Sequence, residues 1–232
     1  MQKKTKDSPK QQDGLSLKNK HLTIHKELYR QRTCFNARFF LYLCRIFTRT
    51  IVIMTKANKV LFITQEITPY VSESEMANIG RHLPQAIQEK GREIRTFMPK
   101  WGNINERRNQ LHEVIRLSGM NLIIDDTDHP LIIKVASIQS ARMQVYFIDN
   151  DDYFQNRLQT ADENGVEYDD NDSRAIFYAR GVLETVKKLR WCPDVIHCHG
   201  WMTALAPLYI KKAYKDETFV PRCKSSILRI RR

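Results

Sequence analysis

The sequence predicts an α/β fold: a Rossmann-like, doubly wound and mostly parallel sheet with an inserted β-hairpin or meander. Three observations support this prediction. An apolar run at 59–64 is followed by an apolar period of three to four residues, as in a strand, a turn and a helix. A second helical period followed by a buried strand recurs between 172 and 199. Between these units, three apolar segments succeed one another without a helical period, which predicts the hairpin or meander.

The first unit runs from Lys59 to Gly91. Residues 59–64 (KVLFIT) are nearly all apolar and rich in β-branched and aromatic residues, as expected of a strand buried on both faces. The apolar residues that follow would share one helix face: Met76, Ile79, Leu83 and Ile87. Ligands of such folds bind where the carboxyl end of a strand meets the amino end of a helix. The loop 65–75 is therefore the first place to look for function.

The middle of the chain alternates strand and loop signals. Residues 92–99 predict a second strand, and the charged residues 105–112 predict a short helix. Three further strands, each dense in Val, Ile, Leu or Phe, are predicted at 114–124, 131–138 and 143–148. Residues 149–172 hold nine Asp or Glu with little apolar period, so an exposed loop is expected there.

The second unit begins at Asp172 or Ser173, either of which can cap a helix. The buried stripe of this helix is predicted to contain Ile176, Ala179, Leu183 and Val186. A buried strand at 195–199 follows. Gly200 then opens a third helix, with four residues available for packing: Ala204, Leu205, Leu208 and Ala213.

The net charge of +12 does not indicate a nucleic-acid-binding face, because the excess lies at the two ends. Residues 1–53 hold 12 Lys+Arg and 3 Asp+Glu, and residues 219–232 hold 5 Lys+Arg and no acid. Residues 54–218 hold 21 basic and 23 acidic residues. The presumed domain is thus slightly acidic, and no nucleic-acid motif accompanies the charge.

The charge distribution also predicts three regions. Residues 1–53 form a basic, disordered extension, with Met54 as the expected true start; a weak membrane-surface anchor is the alternative. Within it, the apolar residues 39–54 are too short, and too interrupted by arginines, for a spanning helix. Residues 54–218 form the domain. Residues 219–232 form a basic tail without a suitable strand or helix period, which suggests a truncated or frameshifted reading that leaves a sheet edge unpaired.

The five cysteines are an odd set without a Cys-x-x-Cys spacing, so a reduced, cytoplasmic location is the simpler interpretation. A zinc site built from His197, Cys198 and His199 is geometrically poor. On a strand, the two histidines share one face and Cys198 points to the other. No metal is expected.

Several motifs together resemble one family. Glu66, Pro69, Leu83-Pro84, Arg174 and the run at 194–205 (DVIHCHGWMTAL) are similar to bacterial glycogen synthases and plant starch synthases. The resemblance implies the amino-terminal half of a GT-B glycosyltransferase, which helps to transfer glucose from ADP-glucose to an α-1,4-glucan. It also implies that a second Rossmann-like domain, from another chain, holds most of the nucleotide. The expected partners are therefore an α-glucan or a sugar nucleotide and a chain with that domain, and no cofactor is expected.

The loop after the first strand departs from this family. The family pattern is Lys-Thr-Gly-Gly-Leu-Ala, whose lysine and glycine backbone face the sugar-nucleotide phosphates. Here the matching positions hold Ser72, Glu73, Ser74, Glu75, Met76 and Ala77. Ser72 and Glu75 have the spacing of a capping box, in which the protein's own oxygens satisfy the free N–H groups of the helix. An ordinary self-capped helix and a relaxed phosphate or sugar site are both consistent with these residues.

The second motif is His197-Cys198-His199-Gly200-Trp201, where the family has His-x-His-Asp-Trp. By position, His199 inherits the catalytic role beside the transferred sugar, and Trp201 a supporting one. Gly200 removes an orienting carboxylate. His197 is expected to be a packed, hydrogen-bonded core residue.

Two further residues have family positions, and three aromatic residues are candidates for sugar stacking. Glu66 is expected to brace the loop at the end of the first strand. Arg174, in the first turn of its helix, is expected to be solvated, with pairing to a phosphate or carboxylate as the alternative. Tyr70, Trp101 and Tyr153 could stack on sugar rings, although single aromatic residues more often belong to the core or its rim.

Two functions remain in competition at this point. The first is a glycogen/starch-synthase-like glycosyltransferase domain that is not competent alone. The second is a non-catalytic module that binds glucan or a synthase and has lost its phosphate loop. A decayed fragment without a stable function is the third hypothesis.

Overall fold

The computed structural model describes residues 58–217 and the backbone of residues 225–229. The predictions made for residues 1–53, and for a start at Met54, lie outside the described residues. The boundaries of the predicted domain therefore stay predictions.

A mixed, mostly parallel sheet forms the centre of the described part. Its strands are β1 (Lys59–Thr64), β2 (Glu93–Pro99), β3 (His112–Glu113), β4 (Met120–Ile124), β5 (Thr127–Ile138), β6 (Met143–Asp149), β7 (Val195–His199) and β8 (Ser225–Arg229). The strand order is β3-β5-β6-β2-β1-β7-β8, with β4 paired to β5. The five strands from β6 to β8 in this order are parallel, whereas β3, β4 and β5 pair antiparallel. The antiparallel β4-β5-β6 meander confirms the predicted insertion.

Within residues 58–217, three α-helices flank the sheet: α1 (Glu75–Glu89), α2 (Asn171–Lys188) and α3 (Leu205–Lys212). Across the sheet, the step from β1 to β2 runs in one direction, and the steps from β6 to β7 and from β7 to β8 run in the opposite direction. Because parallel crossovers are right-handed, α1 lies on one face of the sheet, and α2 and α3 lie on the opposite face. The contact between α2 and α3 agrees with this arrangement. The doubly wound α/β prediction is confirmed.

Two long-range contacts hold β1 in register with its neighbours. The hydroxyl of the fully buried Tyr178, on α2, donates to the carbonyl oxygens of Thr64 (2.7 Å) and Phe97 (2.9 Å) at the carboxyl ends of β1 and β2. At the amino end, the Asp194 carboxylate accepts from the backbone N–H groups of Asn58 (2.9 Å) and Lys59 (3.0 Å). These two backbone donors lower the pKa of Asp194.

The buried face of α1 differs from the predicted stripe. Ala77, Gly80 and Pro84 are buried, whereas the four predicted residues are only half-buried. A Cβ atom at Gly80 would fall on the carbonyl oxygen of Glu66, so the helix backbone approaches the β1 loop at this glycine. The small residues therefore face the sheet, and the longer side chains lie along the flanks of the helix.

The other helices also differ from expectation in detail. Asp170 precedes α2, which begins at Asn171, and no side chain caps it. Ala179, Leu183 and Val186 are buried as predicted. The third helix begins at Leu205 instead of Gly200, because a 3₁₀ turn at Trp201–Thr203 comes first. Its buried residues are Ala206, Pro207 and Ile210, and the predicted packing residue Ala213 is exposed.

The middle segments required three corrections. Residues 105–112 form turns that end in β3, not a helix. The predicted strand at 114–124 is shortened to β4, because residues 115–117 form a turn. The loop 149–172 is not uniformly exposed: it holds a π-helical turn at Asp151–Gln155, capped by the Asn150 side chain, in which Tyr153 and Phe154 are buried.

The tail prediction was wrong in one respect. Residues 225–229 form β8, which pairs parallel with β7 over its whole length, from Val195↔Ser225 to His199↔Arg229. The edge of β7 is therefore paired, not open. The segment has only two apolar residues, Ile227 and Leu228, and lies among basic residues, so the sequence pattern alone did not indicate a strand.

None of the helices in the described residues has the length and apolar character needed to cross a membrane.

Candidate functional site

The two sequence motifs meet at one edge of the sheet. Strands β1 and β7 are parallel neighbours, and Thr64 pairs with His199 at their carboxyl ends. The chain leaves β1 toward β2 on one side, and β7 lies on the other side. This is the point where the strand order reverses, which is where open α/β sheets bind their ligands. The loop 65–75 and the turn 200–203 both start here.

The amino end of α1 is capped by the protein, but not by the predicted residue. Ser74 is the N-cap, and its Oγ accepts a hydrogen bond from the Ala77 backbone N–H at 2.9 Å. The predicted Ser72–Glu75 capping box is therefore wrong, since Glu75 is already the first helical residue. Ser72, Glu73 and Glu75 are exposed. The interpretation of a self-capped helix end holds, with the cap shifted by two residues.

Glu66 reinforces this cap. Its Oε2 accepts a hydrogen bond from Ser74 Oγ at 2.5 Å, so Ser74 both accepts from the helix and donates to Glu66. The Glu66 backbone N–H donates to Thr64 Oγ1 at 3.4 Å, which fixes the residue at the end of β1. These contacts are those of a residue that braces the loop. A carboxylate thus lies close to the positive end of the helix, where a phosphate would otherwise bind.

Two lysines, the buried Lys100 and the half-buried Lys134, are paired with carboxylates of the protein. Lys134 Nζ contacts Glu106 Oε1 at 2.7 Å and Asp149 Oδ2 at 2.8 Å, and Lys100 Nζ contacts Glu106 Oε1 at 3.1 Å. Both cations are thereby neutralised by carboxylates of the protein. The loop residues 72–75 carry two acidic and no basic side chains.

The histidine motif lies on β7 as predicted. His197 and His199 share one face, with ring centroids 6.2 Å apart, and both contact Phe62 of β1. His197 stacks on Phe62 at 4.8 Å and is half-buried, so it belongs to the rim of the core. His199 is 4 % exposed and Trp201 is 40 % exposed.

Cys198 points away from the two histidines, toward α2. Burial raises the pKa of its thiol to about 12, so it stays protonated at neutral pH and is a poor metal ligand. Among the described residues, no three His, Cys, Asp or Glu side chains are arranged to hold a metal ion.

Gln65 is a residue of the site that sequence reasoning missed. It lies directly after β1, is 5 % exposed, and its Oε1 accepts a hydrogen bond from the Met202 backbone N–H at 3.4 Å. Its backbone carbonyl accepts from Trp101 Nε1 at 2.8 Å. Gln65 therefore connects the two motif loops. The only sequence signal for it was its position inside the loop 65–75.

Arg174 was expected to be solvated, and the structure contradicts this. The side chain is fully buried and donates to Asn171 Oδ1 (2.7 Å) and to the carbonyl oxygens of Tyr153 (3.0 Å), Leu158 (3.4 Å) and Gln159 (2.8 Å). Its guanidinium also lies over three aromatic rings, those of Trp101, Phe154 and Tyr168, at 5.2–5.5 Å. Burial lowers the pKa of Arg174 to about 10, which leaves it charged at neutral pH. Its donors are used inside the protein, so the alternative of pairing with a ligand is not supported.

The three aromatic candidates for sugar stacking are core residues. Tyr70, Trp101 and Tyr153 are 7 %, 0 % and 8 % exposed. Trp201 is the large aromatic side chain at this edge that solvent reaches.

Comparison with known proteins decides the assignment. Residues 59–228 match the family described as starch synthase catalytic domain. This chain belongs to that family. It is 40 % identical over 168 residues to a glycogen synthase of Chlorobium limicola, covering 72 % of this chain and 34 % of the relative. It is 38 % identical over 167 residues to a glycogen synthase of Chlorobaculum tepidum, with the same two coverages.

The fold comparison agrees with the starch synthase assignment. The catalytic domain of starch synthase IV from Arabidopsis thaliana, bound to ADP and acarbose, aligns with a TM-score of 0.60 and 20 % identity. The alignment covers 75 % of this chain and 34 % of that one. It shows the fold, half of a GT-B glycosyltransferase. The chain spans about a third of the length of the glycogen synthases that it matches. The predicted family and fold are confirmed, and the roles of individual site residues remain predictions.

Proposed function

We propose that this chain is the amino-terminal domain of a glucosyltransferase that transfers glucose from ADP-glucose to an α-1,4-glucan and is not competent alone. The observation that carries the proposal is the pairing of Thr64 with His199. It places the family's two motif loops side by side at the switch point of the sheet. In this proposal His199 lies beside the transferred sugar, and Trp201 offers an exposed ring next to it.

The need for a second domain follows from the charge at the amino end of α1. A sugar nucleotide brings a diphosphate, whose binding requires free N–H donors or cations. At the amino end of α1, Ser74 occupies one of these donors, and Glu66, Glu73 and Glu75 add negative charge. Phosphate binding must therefore come from elsewhere, and we assign it to a second Rossmann-like domain.

A non-catalytic glucan-binding module is the second candidate. The Glu66–Ser74–Ala77 hydrogen-bond chain favours it, because a neutral glucan needs no cation at this position, whereas a diphosphate does. The two candidates differ in what they require of a partner, since only the transferase needs the second domain.

A transfer assay separates the candidates. The full chain is incubated with radiolabelled ADP-glucose and glycogen, alone and with the isolated second domain of a related glycogen synthase. The proposed transferase incorporates label only in the mixture, and the His199→Ala variant abolishes that incorporation. Label incorporated by the chain alone would contradict the proposed dependence on a partner. No label in the mixture, together with cosedimentation of the chain with glycogen, would favour the binding module.

Calorimetric titration with ADP-glucose tests the loop directly. The wild-type chain is expected to give no measurable heat of binding. The matched variant carries the family residues at these positions: Ser72→Lys, Glu73→Thr, Ser74→Gly and Glu75→Gly. It is expected to gain binding, because the helix end regains a cation and free N–H groups. Tight binding by the wild-type chain would overturn the charge argument.

A further inference from the structure

Gly200 is held under two separate constraints. Its φ of +92° lies in a region that side-chain-bearing residues rarely adopt. In addition, a Cβ atom at this position would lie 2.5 Å from Gln65 Oε1, 2.7 Å from its Cδ and 2.8 Å from its Cγ. The Gln65 side chain therefore occupies the space that any side chain at position 200 would need.

Gln65 is itself fixed on two sides. Its backbone carbonyl oxygen accepts a hydrogen bond from the indole N–H of Trp101 at 2.8 Å, and Trp101 is completely buried. Its side-chain Oε1 accepts the Met202 N–H at 3.4 Å. The backbone of Gln65 is thus fixed by the buried Trp101, and its side-chain oxygen contacts the turn after β7.

The turn is also held from its other side. The Gly200 carbonyl oxygen accepts hydrogen bonds from both the backbone N–H (3.2 Å) and the hydroxyl (2.7 Å) of Thr203. The turn after His199 is consequently held by contacts with both Gln65 and Thr203. His199 immediately precedes this turn, at the last position of β7.

We propose that Gln65 is the positioning residue for His199, and that it forms a reciprocal pair with Gly200. The side-chain amide of Gln65, which follows β1, fills the space beside Gly200 and fixes the turn. The glycine at position 200 is thus matched to the glutamine at position 65. The consequence for sugar transfer rests on the proposed function, whereas the pairing itself does not.

A double-mutant cycle tests the pairing without any activity assay. Gly200→Ala and Gln65→Ala are made singly and together in the full chain, and melting temperatures are measured. Gly91→Ala is the matched control: Gly91 also has a positive φ (+72°), but no described atom lies within 4 Å of its Cβ position. Adding Gln65→Ala to Gly200→Ala should raise the melting temperature of that variant by about 3 °C or more. Adding it to Gly91→Ala should not raise the melting temperature. An equal rise in melting temperature in the Gly200→Ala and Gly91→Ala variants would overturn the proposed pairing of Gln65 with Gly200.

The positioning role is read from His199 by NMR, which remains informative if Gly200→Ala does not fold. The ring resonances of His199 and the amide exchange of Met202 are compared in wild type, Gln65→Met and Gln65→Ala. The methionine keeps the volume but loses the oxygen acceptor. We expect Met202 exchange to accelerate in both variants, and the His199 ring resonances to shift most in Gln65→Ala. His199 resonances that stay unchanged in both variants would refute the positioning role, whether or not the chain takes part in glucose transfer.

Discussion

The two segments at the carboxyl edge of β1 and β7 are fixed in different ways. In the loop after β1, the contacts are polar: Ser74 Oγ accepts from the Ala77 N–H of the helix and donates to the Glu66 carboxylate. In the turn after β7, the constraint is steric, because the Gln65 side chain fills the space beside Gly200. Neighbouring parts of one site can therefore be fixed by hydrogen bonds in one segment and by shape in the other.

Both segments depend on one buried support. Trp101 donates to the backbone of Gln65, and the guanidinium of Arg174 lies 5.3 Å from the centre of the Trp101 ring. A change at Arg174 should therefore reach both segments through Trp101.

The largest effect is expected from Arg174→Ala. Four acceptor groups would lose their donor inside the protein, and we expect the free energy of unfolding to fall by about 3–5 kcal/mol. Chemical denaturation of the full chain measures this change. Arg174→Lys, which keeps the charge but not the planar fork of donors, should recover only part of the loss. A variant of normal stability with weakened ligand binding would instead mean that Arg174 faces the ligand.

A smaller effect is expected from Ser74→Ala, which removes the N-cap of α1 and the hydrogen-bond donor to Glu66. We expect a loss of about 1–2 kcal/mol in the free energy of unfolding. Ser72→Ala is the matched control, because Ser72 is exposed and precedes the cap; it should change stability by less than about 0.5 kcal/mol. Denaturant titrations of the two variants decide between the cap positions. A larger loss for Ser72→Ala would reinstate the capping box.

The smallest effect is expected at the opposite edge, where Asp194 joins β7 to the start of β1. Its folded pKa lies below its unfolded value of about 4, so its contribution is present above that pH and is lost as the pH falls. Asp194→Asn should therefore be less stable than wild type at pH 7, by under about 1 kcal/mol, and this difference should shrink as the pH falls below about 4. Melting curves from pH 7 into the acid range provide the measurement. A difference that stays constant as the pH falls would show that the carboxylate charge is not the cause.

Sequence patterns predicted the parallel strands β1, β2, β6 and β7, because buried parallel strands are continuous apolar runs. They missed β8, which has only two apolar residues. They predicted helix faces less well. The orientation of α1 is set by the close approach of Gly80 to Glu66, and a glycine adds nothing to an apolar stripe. The helical prediction at 105–112 failed because charged residues in successive turns resemble an exposed helix.

The sequence indicated the residues of this edge where a motif names them, and not where backbone atoms define the contacts. The order of the motifs along the chain indicated His197, His199 and Glu66, whose functional roles stay predictions. Arg174 was misjudged because three of its partners are carbonyl oxygens of Tyr153, Leu158 and Gln159, which any sequence supplies. The role of Gln65 depends on a contact across 135 positions of the chain, and no local pattern encodes such a contact.

The three tryptophans of the chain differ in a way that supplies an optical probe. Trp101 and Trp191 are 0 % and 4 % exposed, whereas Trp201 is 40 % exposed. An aqueous collisional quencher such as iodide should therefore reduce mainly the fluorescence of Trp201, which lies near His199. An oligosaccharide that covers this ring would shield it from the quencher, and the occupancy of the edge could be followed by fluorescence without any label.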